Sequence, residues 1–191
     1  MRPALALVVA LCGLAALKAS EAALPRDNAR SAAAAEKDAM IDASFEYAVP
    51  PGWTAEGGEQ RLTLLGPRDE NTVAALISVR YVAPEDPSHK SADAYLTRLA
   101  SKPTIPVPGW KSGPAKPLTV AGRKARIVER DTSQFTPPTA REIREVPMKE
   151  IHVVVPAAKG FYAIVYYAPR SLDKKARLVF RQFLRTFKPK L

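Results

Sequence analysis

The chain has 191 residues, with 29 Lys plus Arg against 19 Asp plus Glu, two His and a single Cys. The formal net charge of +10 creates a positive field that favours encounters with anionic partners and is silent about fold. One cysteine excludes an intrachain disulfide and a Cys-rich zinc site, and the sequence has no Walker phosphate loop, EF-hand loop or paired-carboxylate signature.

Arg2 precedes an apolar run from Ala4 to Leu17, followed by Lys18 and the small-residue stretch Ala19-Ser20-Glu21-Ala22-Ala23. A basic start, a short apolar segment and small residues behind it predict an export signal over residues 1–22. The run falls short of the roughly 20 residues of a spanning helix. Cys12 lies inside the run, with Ala10 but not Leu11 matching a lipid-attachment site, so it reads as a passenger cysteine and not an anchor. Residues 23–40 are alanine-rich and lack an apolar stripe, which predicts a tether. Residues 41–191 form a single domain.

Within that domain, Phe45, Tyr47 and Val49 alternate with polar or small residues. They predict a half-buried strand ended by Pro50-Pro51-Gly52, with Trp53 plugging one end of the core. Gly57-Gly58 reads as a turn. Arg61 to Leu65 is a second strand, turned by Gly66-Pro67-Arg68-Asp69, and Val73 to Val82 a third. Ser91 is the expected N-cap of a helix whose apolar face carries Ala92, Tyr95, Leu96 and Leu99. Residues 102–117, dense in Pro and Gly, predict a long surface loop with Trp110 near its middle. Leu118 to Ala121 and Ala125 to Glu129 are strands about a turn at Gly122. Gln134 to Ala140 is a loop, and Ile143 to Val155 at least two strand pieces around Pro147. Ile151–Val155 and Phe161–Tyr167 then form a hairpin. A final amphipathic helix, N-capped by Ser171, buries Ala176, Val179, Phe180, Phe183, Leu184 and Phe187. It turns Arg177, Arg181, Arg185 and Lys188 outward. This order predicts an α+β fold, an antiparallel sheet with helices packed against it.

Several spaced pieces resemble the PsbP-like domain family. They are Phe45 to Trp53 with its Pro-Gly-Trp turn, the strand Val73 to Tyr81 followed by the helix with Tyr95 and Leu99, the Val120-Ala121-Gly122-Arg123-Lys124-Ala125 hairpin, and Lys159 to Ala168 followed by a helix closing on Phe183-Leu184-Arg185-Thr186-Phe187. The resemblance spans about residues 41–188. It implies an α/β/α sandwich shared by a photosynthetic extrinsic protein, a Ran-binding import factor and exported bacterial proteins. It implies no catalytic motif and little about function, because ligands and partners vary across the fold.

Two surfaces are candidate sites. The stripe Arg177, Arg181, Arg185 and Lys188 is spaced to engage phosphates or carboxylates. Trp110 is either a lid over the core or a binding anchor, with Lys111, Arg123 and Lys124 grouped near it. His89 sits in a proline-bounded loop with no second histidine in register. His152 faces opposite to Ile151 and Val153, toward solvent or hydrogen-bonded at a sheet edge. The leading expectation is a non-enzymatic periplasmic or extracellular module that binds a protein or anionic envelope component, with peripheral membrane contact open, no nucleic acid, no metal and no cofactor. The alternative is a carrier or sensor of a small apolar or anionic ligand held between sheet and helix, for which an enclosed, aromatic-lined pocket of about 300 Å³ or more is the mark. Hydrolase chemistry through His89 or His152 ranks last.

Overall fold

The computed structural model describes residues 41, 43–58, 61–87, 91–136 and 142–191. The export signal, Cys12, the tether and His89 lie outside the described residues. Among the described residues ten strands appear: β1 (Phe45–Glu46), β2 (Thr54–Gly58), β3 (Arg61–Arg68), β4 (Ala74–Val82), β5 (Lys111–Ser112), β6 (Lys116–Val120), β7 (Arg123–Phe135), β8 (Glu145–Pro156), β9 (Phe161–Pro169) and β10 (Lys188–Pro189). Helix α1 spans Ala92–Ala100 and helix α2 spans Arg170–Thr186. Eight strands form one antiparallel sheet in the order β2-β3-β4-β9-β8-β7-β5, with β6 also on β7. The helices cover opposite faces, which is the α/β/α sandwich expected.

Side-chain alternation decides which helix each strand residue meets. In β8, Ile151, Val153 and Val155 join the α2 core, while Val154 joins the α1 core. In β9, Tyr162, Ile164 and Tyr166 face α2, whereas Phe161 and Ala163 face α1. These central strands are apolar on both faces because both faces are covered. Helix α2 lays Ala176, Phe180 and Phe183 on the sheet. Phe180 stacks on Tyr166 with centroids 5.1 Å apart. Phe187 packs on Tyr162 and Phe45. The β1–β10 ribbon and the bond from the Tyr162 hydroxyl to the Ser44 carbonyl (2.7 Å) tie the two ends of the domain together.

Several elements differ from expectation, each for a physical reason. The first strand holds only Phe45–Glu46, because its partner β10 is equally short, and Val49 is exposed. Gly57 and Gly58 belong to the ladder, opposite Leu62 and Arg61, and are not a turn. As the sheet's edge, β2 needs ladder bonds but no apolar alternation. Strand β3 runs on through Gly66 and Pro67 to Arg68 past an irregularity in its pairing with β4. The turn falls later, where the Asp69 carboxylate accepts the Asn71 and Val73 N–H groups at 3.0 and 2.9 Å. Gly66 is required because a Cβ there would lie 2.6 Å from the indole of Trp53, which is buried as expected. The segment 102–117 is not wholly irregular: Lys111–Ser112 pairs with β7, and Pro117 lies in edge strand β6, where a proline is tolerated. Strand β7 includes Gln134 and Phe135, placed in a loop by composition. Strand β8 passes through Pro147 without a break, since β9 ends opposite Met148 and leaves β8 there with one neighbour. Helix α2 begins at Arg170 behind Pro169, with no side-chain cap, so Ser171 is inside the helix. Helix α1 keeps its cap: the Ala94 N–H donates to Ser91 Oγ at 3.0 Å.

Candidate functional site

Helix α1 is nine residues long and too short to cover its face of the sheet. Tyr95, Leu96 and Leu99 pack on Val82, Val128, Val154, Phe161 and Ala163. Toward β3 the face is left as a half-open groove of about 230 Å³. Leu76, Val82, Ala163 and Val165 contribute apolar lining, and Arg61, Ser78, Arg80, Tyr95, Glu150 and Tyr167 the polar groups. Register brings them to one face. Arg61 lies opposite Arg80, Ser78 opposite Val165, and Tyr167 between Leu76 and Glu150 on its two neighbours.

Beneath the groove runs a buried polar chain. Arg130 donates to Glu150 Oε2 through both Nη2 (2.7 Å) and Nε (3.2 Å), and through Nη1 to the Leu99 carbonyl (3.3 Å). The other carboxylate oxygen, Oε1, lies 2.6 Å from His152 Nε2. His152 Nδ1 lies 2.8 Å from the Tyr95 hydroxyl. With Glu150 ionised, Nε2 is the donor to it, and in the neutral ring Nδ1 accepts the Tyr95 proton. Burial pushes the Glu150 carboxyl up, but the hydrogen bond from His152, with the charge and bond of Arg130, outweighs it and holds the group below its ordinary value. Burial, reinforced by the Glu150 charge, pushes Tyr95 and Tyr167 up to about 12, so both remain neutral phenols. The chain therefore fixes the wall of the groove. His152 is buried, at 6% exposure, in an interior strand with both ring nitrogens engaged. It is neither solvent-facing nor at a sheet edge, and it is not aligned with a serine. Among the described residues no three His, Cys, Asp or Glu side chains converge as a metal site.

The residues singled out from sequence do not form one site. Trp110 is half-buried outside both helix-facing cores, and its backbone N–H donates to the Val107 carbonyl at 3.2 Å. Lys111 is opposite Asp131 on β7, whereas Arg123 begins β7 opposite Val120. At about 3.3 Å per residue the two ends are far apart, so the proposed grouping around Trp110 is not assembled. Arg123 and Lys124, being adjacent in a strand, face opposite sides. The Arg123 guanidinium is bound to the Pro156 and Leu191 carbonyls at 2.8 and 2.5 Å. Arg177 is not part of an open stripe. It pairs with Asp173 (3.2 Å) and with Glu129 (2.9 Å). Lys188 lies beyond the helix in β10, 3.6 Å from Glu46. Arg181 and Arg185 are exposed on α2 as expected, aligned with Lys174 and the exposed Leu178.

Sequence reasoning missed the groove. Glu150 and His152, two apart in a strand, were readable as sharing a face. Arg61, Ser78, Arg80 and Tyr167 carry no local signal of convergence.

No protein-family model matches the chain, and no curated protein matches it. Among solved structures it is similar to LpqN, described as involved in cell envelope biogenesis of Mycobacterium tuberculosis, at 16% identity and a TM-score of 0.43, over 76% of this chain and 83% of that one.

Proposed function

We propose that the protein is an exported, non-catalytic binding module that holds a small ligand in the groove beside α1. The observation that carries this reading is the convergence of apolar floor and fixed polar wall in one half-open cavity. Export rests on residues 1–22, and the PsbP-like kinship rests on the spaced pieces and the sandwich. The cavity is smaller and more open than the pocket expected of a carrier, and its aromatic lining is Tyr95 and Tyr167 without Phe. That favours a ligand below the usual drug-sized range. The saturated hydrogen bonding of His152 argues against hydrolysis.

A neutral fluorescent probe, N-phenyl-1-naphthylamine, tests this reading. Its emission should rise on binding the full chain, and Ser78→Phe, which fills the groove, should weaken binding about tenfold, or about 1.4 kcal/mol, without lowering the unfolding midpoint. Equal binding by both proteins removes the groove as the ligand site.

A second reading, docking to a protein or an anionic envelope surface through α2, is favoured by Lys174, Arg181 and Arg185 around exposed Leu178, and by the inward pairing of Asp173. Trp110 and Lys111 in the proline-rich segment, with Ile105 exposed nearby, belong to that reading. Arg123, Arg177 and Lys188 contribute less to it, because each is engaged within the domain.

A further inference from the structure

We infer that the groove selects a free, anion-headed amphiphile, a phosphate or carboxylate on a short apolar body, and that Arg61 recognises the head. This rests on the reading of the groove as a ligand site and names its ligand class.

The argument begins with an electrostatic conflict in the sheet. Arg61 and Arg80 are directly opposite each other across β3 and β4, and like charges in that relation repel. Arg80 is relieved by an ion pair with Asp86, whose carboxylate is mostly buried. Arg61 has no such relief among the described residues. It is exposed at the mouth of the groove, and no ion pair among the described residues engages it. Among the described residues the sole acid lining the cavity is Glu150, and both its oxygens are already taken, by Arg130 and by His152. With Arg80 and Glu150 each neutralised by a partner, Arg61 leaves the groove one positive charge in excess. A guanidinium offers several N–H donors in a fork that fits phosphate or carboxylate.

The neutral groups agree with this sign. Ser78 and Tyr167 place hydroxyls on the same wall, and Tyr167 is held as a phenol, able to donate. Leu76, Val82, Ala163 and Val165 supply the apolar surface for the ligand's body. The arrangement also distinguishes a free molecule from a bilayer lipid. The cation sits at the exposed mouth, with apolar floor behind it. A lipid whose tail remains in its bilayer cannot lay that tail on this floor while its head meets Arg61.

The test is calorimetric titration of the full chain with hexyl phosphate, hexanoate and hexanol. Hexyl phosphate and hexanoate should bind about tenfold or more tightly than hexanol, as expected of one charge-assisted contact. Arg61→Gln should remove that advantage and leave hexanol unchanged, and Arg61→Lys should restore part of it. The double variant Arg181→Glu/Arg185→Glu should bind hexyl phosphate within about twofold of the parent, since a charge beyond a Debye length of about 10 Å is largely screened at 0.1 M salt. Equal affinity for hexyl phosphate and hexanol, or no effect of Arg61→Gln, overturns the anion assignment while the groove reading stands. Binding of none of the three overturns both. Displacement of hexyl phosphate by phosphatidylglycerol vesicles overturns the assignment to a free molecule.

Discussion

Glu150→Ala should lower folding stability by about 3 kcal/mol, measured by urea denaturation at neutral pH. Arg130 and Glu150 have side-chain exposures of only 19% and 12%. Removing the carboxylate strands a shielded guanidinium and leaves His152 Nε2 without its acceptor. The loss is the penalty of an uncompensated charge and not the net worth of the pair. The double variant Glu150→Leu/Arg130→Met should therefore recover most of the stability. The same group sets an acid-side dependence. Its folded-state value lies below its ordinary value of 4.5, so the folded protein binds fewer protons than the unfolded chain in that window. Its contribution is present above about pH 4.5 and is lost as pH falls through the lower folded value. Glu150→Gln should flatten that limb of the stability profile. A profile identical to the parent's would show that the carboxylate is not held as described.

Gly160→Ala should cost about 3 kcal/mol, from about 1–2 for a left-handed non-glycine residue and a similar amount for overpacking. Gly160 has φ of +72°, and a Cβ there would lie 2.1 Å from the Val82 carbonyl oxygen and 3.1 Å from its carbon. The residue closes the Ala157–Gly160 turn between β8 and β9, and Lys159 is held through its carbonyl by the Tyr81 hydroxyl at 2.6 Å. Relief of the clash would have to displace β4 from β9 at Val82–Phe161, the last pair of the ladder between these two strands. Gly122 provides the comparison. It also has positive φ, +76°, but open space around it, so Gly122→Ala should cost only about 1–2 kcal/mol. Equal midpoints for the two variants in thermal unfolding would refute the crowding at Gly160.

The elements legible from sequence are those whose residues touch the cores. The Val153-Val154-Val155 triplet and Phe161 to Tyr167 announce central strands because both faces are buried. The spacing of Ala176, Phe180, Phe183 and Phe187 announces α2 because one stripe carries its packing. Edge strands lack that requirement. Thr54–Gly58 pairs through its backbone with hardly an apolar side chain, so Gly57 and Gly58 read as a turn. Arg177 shows the limit of a helical wheel. The spacing gives its position on the face, but Asp173 one turn earlier and Glu129 on strand β7 draw it inward. The groove was illegible for a different reason. It depends on Arg61 meeting Arg80, on Tyr167 meeting both Leu76 and Glu150, and on α1 stopping at Ala100. Those are facts of register and helix length, set by pairing between distant segments, and no local pattern of residue types encodes them. Glu150-x-His152 is the one visible fragment, and its meaning requires Tyr95 from a helix face that reads from sequence as packing alone.

The most direct measurement is an amide NMR titration of the protein with hexyl phosphate. Resonances of Arg61, Ser78, Arg80, Val165 and Tyr167 should move together along one saturable curve, while those of Lys174 to Arg185 stay still. Perturbation confined to α2 or to the segment around Trp110, or no saturable shift anywhere, would contradict a ligand site on the sheet face beside α1.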